Sequence, residues 1–380
     1  MMPHRTGPDP LGKTKCGGSA AKPHPPPHFL STMKLSVLDQ STVVTSRSPD
    51  TSIRESIALA QHCEALGYSR YWLAEHHASQ SQAGTAPEIL ISAIAATTTR
   101  IRVGSAGVML PHYSALKVAE QFRVLEAIAP GRIDLGLGRA PGSDGRTAFA
   151  LNPLAETAVD HFPAQIRDLL AWLAGEKLVE GHPFRDIIAQ PQGPTTPEVW
   201  MLGSSDYGAQ VAAYFGLPFC FAHFITDGRG TAEALALYRQ YYRPSARYPE
   251  PYAALCVWAM AADTETEAAR LFTSRELWRL GRDRGIFTAL PSPEEAAAHD
   301  YTEAELLRIA RLRERAFYGT PEVVGTRLRA LGDEHNVEEI AILTTLHDPQ
   351  ARRHSYTLLA EEFELASANF SSTMREITAR

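Results

Sequence analysis

The sequence predicts an α/β protein of the (β/α)8 TIM barrel class, and three features carry that prediction. The chain has 380 residues, enough for one large barrel or two ordinary domains. From Lys34 onward, short β-branched and aliphatic runs alternate with longer helical patterns, which implies parallel strands joined by helical crossovers. Polar residues and glycines collect just after those runs, where a barrel keeps its chemistry. An open doubly wound sheet shares this alternation, because alternation alone does not show closure.

Residues 1–32 are a different material. They hold seven prolines, four glycines and a single acid, Asp9. Pro25-Pro26-Pro27 favours extended polyproline geometry, and the apolar run of roughly 7–15 residues that a secretory signal needs is absent. The segment is expected to be a disordered N-terminal extension, with His4, His24 and His28 too loosely spaced for an ordered metal site. Met33 opens the first clean strand pattern, and residues 33–380 are expected to form a single barrel domain.

The first strand is expected at Lys34–Asp39. The following helix opens on the capping-box pattern Ser52-Ile53-Arg54-Glu55, shows Ile53, Ile57 and Ala60 on one face and stops at Gly67. Strands then fall at Tyr68–Ala74, Ile101–Leu110 and Arg132–Leu137, with helices at Pro87–Thr98, Leu116–Ala129 and Glu156–Leu173. Further strands are expected at Val199–Leu202, Pro218–Ala222 and Leu255–Ala261, followed by helices at Tyr207–Phe215, Thr231–Tyr242 and Glu265–Leu277. A helix at Pro321–Gly332 leads into the eighth strand, Glu339–Leu343, and a last helix runs from Pro349 to Ser367. The connections 138–197 and 278–320 are long, the second containing a charged helical stretch, Glu303–Arg315. Long barrel insertions usually shape the substrate mouth.

Composition narrows the function. Apolar residues are 44% and charged residues 21%, near the averages for folded chains. Lys plus Arg number 37 against 43 Asp plus Glu, a net charge of −6, which gives no electrostatic case for nucleic acid or an anionic membrane. No stretch approaches the roughly 18 apolar residues of a transmembrane helix. Cys16, Cys63, Cys220 and Cys256 form no Cys-x-x-Cys pair, so neither a disulfide framework nor a zinc site is expected and a reducing cytoplasm fits.

The polar clusters lie at equivalent places. Glu75-His76-His77 follows the second strand, Gly136-Leu137-Gly138-Arg139 ends the fourth, and Gly203-Ser204-Ser205-Asp206 follows the fifth. His223 and Thr344-Thr345 end the sixth and eighth. Arg139 in its glycine-rich turn has the planar fork that suits phosphate, and Ser204 and Ser205 stand where a helix begins and amides attract anions. The two loops together would make a phosphate clamp; an ordinary N-cap and a salt-bridge arginine are the alternative. The chain has no His-Glu-x-x-His and no His-x-His after the first strand, which weakens a metallohydrolase, and no metal is expected. A histidine at Glu75-His76-His77 suits proton transfer, although a satisfied polar cluster reads the same way. Pro141 stands where a Rossmann fingerprint needs its third glycine, so a nicotinamide dinucleotide is not expected. Trp72 and Trp200 lie in strand patterns and are read as core.

Taken together the motifs resemble the luciferase-like flavin monooxygenases, in the branch that includes the α chain of bacterial luciferase. The matching stretches are Tyr71-Trp72-Leu73-Ala74-Glu75-His76-His77, residues 101–111, residues 130–139, Val199-Trp200-Met201-Leu202-Gly203-Ser204-Ser205 and Phe215-Gly216-Leu217-Pro218. The similarity runs from Met33 to near Phe370 and is thin across 243–318. The resemblance implies a luciferase-like barrel that binds FMN or a related deazaflavin. It implies that His76 is the active-site histidine, with Glu75 and His77 supporting it. Arg139 and Ser205, with the backbone at Ser204, become phosphate ligands. Ala106–Gly107 falls at the family's non-prolyl cis peptide, on which the flavin ring rests, and Val108 and Leu110 shape the pocket beside it. Ser204 replaces an acid of the luciferase phosphate loop, and Ala78 and His112 stand where close relatives carry asparagine; His112 is read as a loop residue.

The implied activity is that of a two-component monooxygenase. Reduced FMN from a separate flavin reductase reacts with O2 at C4a, and the flavin peroxide oxygenates an organic substrate, with aromatic polyketide tailoring in antibiotic biosynthesis the first expectation. A homodimer is implied as well. The alternatives are a deazaflavin (F420)-dependent oxidoreductase and a non-catalytic flavin-binding barrel.

Overall fold

A computed structural model of the chain describes residues 33–365 except residue 141. The expectations for the extension 1–32, for Pro141 and for the end of the last helix at Ser367 lie outside the described residues.

Among the described residues nine strands run in parallel: β1 Lys34–Asp39, β2 Arg70–Leu73, β3 Arg102–Met109, β4 Ile133–Gly138, β5 Glu198–Gly203, β6 Phe219–Phe221, β7 Ala253–Ala261, β8 Phe317–Gly319 and β9 Glu339–Leu343. Consecutive strands from β1 to β7 pair side by side. β7 then pairs with β9 through Ala254–Trp258, and β9 returns to β1 in the register Lys34↔Glu339 to Val37↔Ile342. The sheet therefore closes on itself as an eight-stranded barrel with helices between the strands, and the open doubly wound alternative falls away. The unforeseen β8 stands outside the ring, paired with the carboxyl end of β7.

Side chains alternate as the pleat requires. Leu35, Val37, Tyr71 and Leu73 pack outward under the helices, whereas Leu38, Trp72, Trp200, Cys256 and Trp258 fill the inside. The floor is charged and fully paired. Arg70 reaches Asp134 at 2.9 Å, Glu198 at 3.2 Å and Glu339 at 2.9 Å, all from the amino-terminal ends of their strands. Trp72 and Trp200 each donate an indole N–H to this network at 2.9 Å and meet edge to face above it. A buried charge is tolerated only with such partners. The opposite end is left for the site.

Local chemistry explains where element boundaries differ from expectation. The first helix is Pro49–Leu66, because Ser48-Pro49 starts it earlier; Ser52 lies one turn inside and donates to the Thr42 carbonyl. It stops at Gly67, whose φ of 91° needs glycine. The single helix expected at Glu156–Leu173 is two, Ala155–Asp160 and Phe162–Ala174. Pro163 lacks the N–H that would carry one helix through. The helix after β7 continues past Leu277 to Asp283, drawn on by buried Trp278 and Leu280. The charged stretch Glu303–Arg315 is a helix, as expected, with Thr302 and Glu305 closing a capping box. Cys63, Cys220 and Cys256 are free and buried. No helix among the described residues is long and apolar enough to cross a membrane, and no cluster there could hold a metal ion.

Candidate active site

The carboxyl ends of the strands enclose a cavity of about 480 Å³, within the roughly 300–1,000 Å³ common for small-molecule sites. Residues from or just beyond β1 to β7 line it, among them Gln40, His76, Met109, Arg139 and Ser205.

After β2 the chain turns so that three adjacent residues divide their tasks. His76 faces the cavity. Burial, and then the positive charge of Arg282, push its pKa down to about 4, so it is neutral at neutral pH. Its Nδ1 is buried and has no hydrogen-bond partner among the described residues. Glu75 and His77 do not line the cavity. The Glu75 carboxylate lies behind the wall, accepting from the Met109 N–H at 3.0 Å, the Tyr113 hydroxyl at 2.6 Å and His77 Nε2 at 2.7 Å. Burial and then Glu75 push the Tyr113 pKa well up, keeping that hydroxyl a donor. Of the expected site residues His76, Glu75 and His77, only His76 lines the cavity, while Glu75 and His77 are paired with each other beside it.

β3 carries the cis peptide Ala106–Gly107, and both residues line the cavity. A Cβ on residue 107 would lie 2.7 Å from the Gly136 carbonyl oxygen and 2.9 Å from the Leu202 side chain, so the close approach of β4 requires glycine there. Val108 and Leu110, expected beside the pocket, are instead buried in the outer core against the helices. The β3–β4 register shifts between Ser105 and Val108, and one extra residue in a strand moves every later side chain to the other face. Met109 takes the wall position in their place.

Arg139 and Tyr207 meet across the neighbouring turns, the guanidinium carbon 3.8 Å from the ring centroid. Arg139 has no carboxylate partner among the described residues, which removes the salt-bridge alternative. Ser205 is the N-cap residue of helix Asp206–Phe215, yet its side chain makes no capping bond. Ser204, Ser205 and Arg139 line the same cavity. The sequence-predicted residues His76, Ala106, Gly107, Arg139, Ser204 and Ser205 are thus brought to one cavity.

The other strand-end polar residues are structural. The Thr344 hydroxyl donates to the Ala259 carbonyl at 2.6 Å, and Thr345 accepts from the Trp258 indole at 2.8 Å. His112 is buried in a short 3-10 turn, edge-on to His77 and Tyr113. His223 lies outside the cavity, its pKa pushed down to about 4 by burial and then by His335. Trp72, read as core, is buried and also lines the cavity. Sequence reasoning missed Phe162, Phe224 and Arg282. Phe162 and Arg282 lie in the long connections, the one hint the sequence offers, and nothing in the sequence marks Phe224.

Comparison with known proteins identifies the family and the fold. The family model for luciferase-like monooxygenases matches residues 33–335. The uncharacterized protein YwcH of Bacillus subtilis (strain 168) is 44% identical over 332 residues, 87% of this chain and 99% of its own. The N-acetyl-S-alkylcysteine monooxygenase of the same organism is 34% identical, covering 87% and 98%. The crystal structure of apo-MsnO8 superposes with a TM-score of 0.80 at 38% identity, over 88% of this chain and 99% of that one. Two more distant structures share the fold alone. One is the oxygenating constituent of 3,6-diketocamphane monooxygenase from Pseudomonas putida in complex with FMN, at 18% identity and TM-score 0.64, covering 87% and 98%. The other is an F420-dependent secondary alcohol dehydrogenase with an F420–acetone adduct, at 13% and 0.61, covering 88% and 99%.

Proposed function

The chain belongs to the luciferase-like monooxygenase family, and from that premise we propose that it is the oxygenating component of a two-component system, taking reduced FMN from a separate flavin reductase and using O2 to oxygenate a small organic substrate. One observation carries the cofactor reading. Arg139, without a carboxylate partner, and Ser205, whose hydroxyl does not cap its helix, border the same cavity at neighbouring turns. A cation, two hydroxyls and a helix N-terminus are a donor set for a phosphate. The wall fits a flat ring, since Ala106 and Gly107 present little more than backbone and Gly107 has no room for a side chain.

Reduced flavin, when bound, supplies the activation of O2 that no side chain can provide. The protein's own residues supply the rest. Arg139, Ser204 and Ser205 hold the phosphate, and Ala106 and Gly107 back the ring. His76, neutral and with a buried nitrogen unspent, offers a hydrogen bond or a proton site to the reacting oxygen. Glu75 and His77 fix the turn that aims it. The paired floor closes the barrel's other end to water. A homodimer in the cytoplasm belongs to the same reading, as does residue range 33–380 as one domain. The 34% identical relative is named for a sulfur compound, N-acetyl-S-alkylcysteine, so thioethers join aromatic polyketides as substrates to try.

Oxygen consumption with enzymatically reduced FMN over such a panel tests the reading. Product formation dependent on FMN and O2, abolished in His76→Ala with flavin binding retained, is the expected result. Turnover with reduced deazaflavin and no O2 uptake would replace the monooxygenase by a dehydrogenase, and flavin binding without any O2-dependent product would leave a storage barrel.

A further inference from the structure

The connection after β7 brings charge to the barrel mouth that the reading above does not use. Helix Glu265–Asp283 carries Arg275, Arg279 and Arg282 at i, i+4 and i+7, which is one helix face. Arg282 lines the same cavity as His76 and Arg139. Its guanidinium carbon stands 4.6 Å from the Trp278 ring centroid and 5.1 Å from that of Phe287. Arg275 is only 5% exposed, lies 4.0 Å over the Trp258 ring, and its Nε has no hydrogen-bond partner among the described residues. Arg279 Nε is likewise without one.

Acids are scarce on this face. Asp227 pairs with Arg279 at 3.4 Å, while Asp283 is taken by Arg308 and Glu276 by Arg313. Among the described residues neither Arg275 nor Arg282 has a carboxylate partner. Burial, and then Arg279, work against the charge on Arg275, a charge that guanidinium keeps nonetheless. Packing alone would favour leucine or methionine at such places, since an unpaired buried cation costs free energy. These arginines also stand apart from the proposed phosphate site. They follow β7, whereas Arg139 and Ser205 follow β4 and β5, with β6 between.

We propose that this arginine face docks the anionic headgroup, a carboxylate or a sulfonate, of the organic substrate, with Arg282 making the contact and Arg275 and Arg279 raising the potential behind it. The proposal rests on the cavity being the reaction site and names the substrate class that would enter it. Trp278 and Phe287 stand beside the guanidinium where it borders the cavity, and a guanidinium offers an oxyanion bidentate contact.

The test titrates the full-length protein with benzoate, benzenesulfonate and neutral benzamide. Flavin absorption reads the FMN-loaded form and the change in Tm reads the flavin-free form. At least one anion should bind about tenfold or more tightly than benzamide, as a charge-assisted contact implies, and the tighter of the two identifies the headgroup. Arg282→Gln should bring the anions to within about twofold of benzamide, Arg282→Lys should keep part of the preference, and FMN affinity should stay within about twofold in both. Equal binding of anions and benzamide by the parent protein, or an anion preference that survives Arg282→Gln, overturns the proposal. So does a loss of FMN affinity in Arg282→Gln, which would assign the arginines to the cofactor. Should the parent protein fail to bind FMN, the cofactor reading fails, while the flavin-free thermal titration still decides this one.

Discussion

Replacing Glu75 by glutamine separates a positioning role from a chemical one. The buried carboxylate accepts three hydrogen bonds, from the Met109 amide, the Tyr113 hydroxyl and His77 Nε2. A glutamine keeps the shape but offers one acceptor oxygen and turns an N–H2 toward groups that are themselves donors. At least one of the three bonds is lost and its donor left buried. Hydrogen bonds to a charged group contribute about 1.5–3 kcal/mol and an orphaned buried donor costs about 1–3 kcal/mol, so Glu75→Gln should destabilise by about 2–4 kcal/mol. Glu75→Ala, which strands all three donors, should cost about 3–5 kcal/mol. Urea unfolding followed by tryptophan fluorescence measures both. In a cycle with Tyr113→Phe the two sites should couple by about 1 kcal/mol or more, because they share one bond. A Glu75→Gln protein as stable as its parent but without turnover would refute the reasoning and return Glu75 to the chemistry.

Two further outcomes follow from burial. His76 and His223 both have pKa values pushed down to about 4, so between roughly pH 6.5 and 4 the unfolded chain binds protons that the native chain refuses. Stability should therefore fall as pH falls through that window and level off above it, each histidine contributing up to about 1.4 kcal/mol per pH unit. His76→Gln should lessen the slope in pH-dependent urea melts, and an unchanged slope would mean that His76 is not held neutral. Val108→Ala should cost about 1–3 kcal/mol of stability while leaving FMN affinity within about twofold, since Val108 packs in the outer core; a large affinity loss at unchanged stability would put that side chain in the cavity.

Much of this was legible in the sequence because the barrel is written in local signals. Each strand is a short apolar run, and its carboxyl end is marked by the glycines and polar residues that face the mouth. Arg139, Ser205 and His76 were found through that placement. What escaped depends on distance or on a break in periodicity. Val108 and Leu110 enter the pocket only through the family resemblance, and the irregular register after Ser105 turns them away. Glu75 and His77 were grouped with His76 because they adjoin it, although their partners Met109 and Tyr113 lie more than thirty residues on. Arg282 was invisible as a site residue because the helix carrying it seemed to end at Leu277; only the burial of Trp278 and Leu280 extends it to the mouth. The charged floor joins Arg70, Asp134, Glu198 and Glu339 from four separate strands, and no spacing announces it.

An anaerobic titration comparing reduced FMN with reduced riboflavin bears most directly on the central claim, because the two ligands differ only in the phosphate. FMN should bind the parent protein at least about tenfold more tightly, and Arg139→Ala should bring it down to the affinity of riboflavin. Equal affinities in the parent protein, or an FMN advantage untouched by Arg139→Ala, would contradict the account.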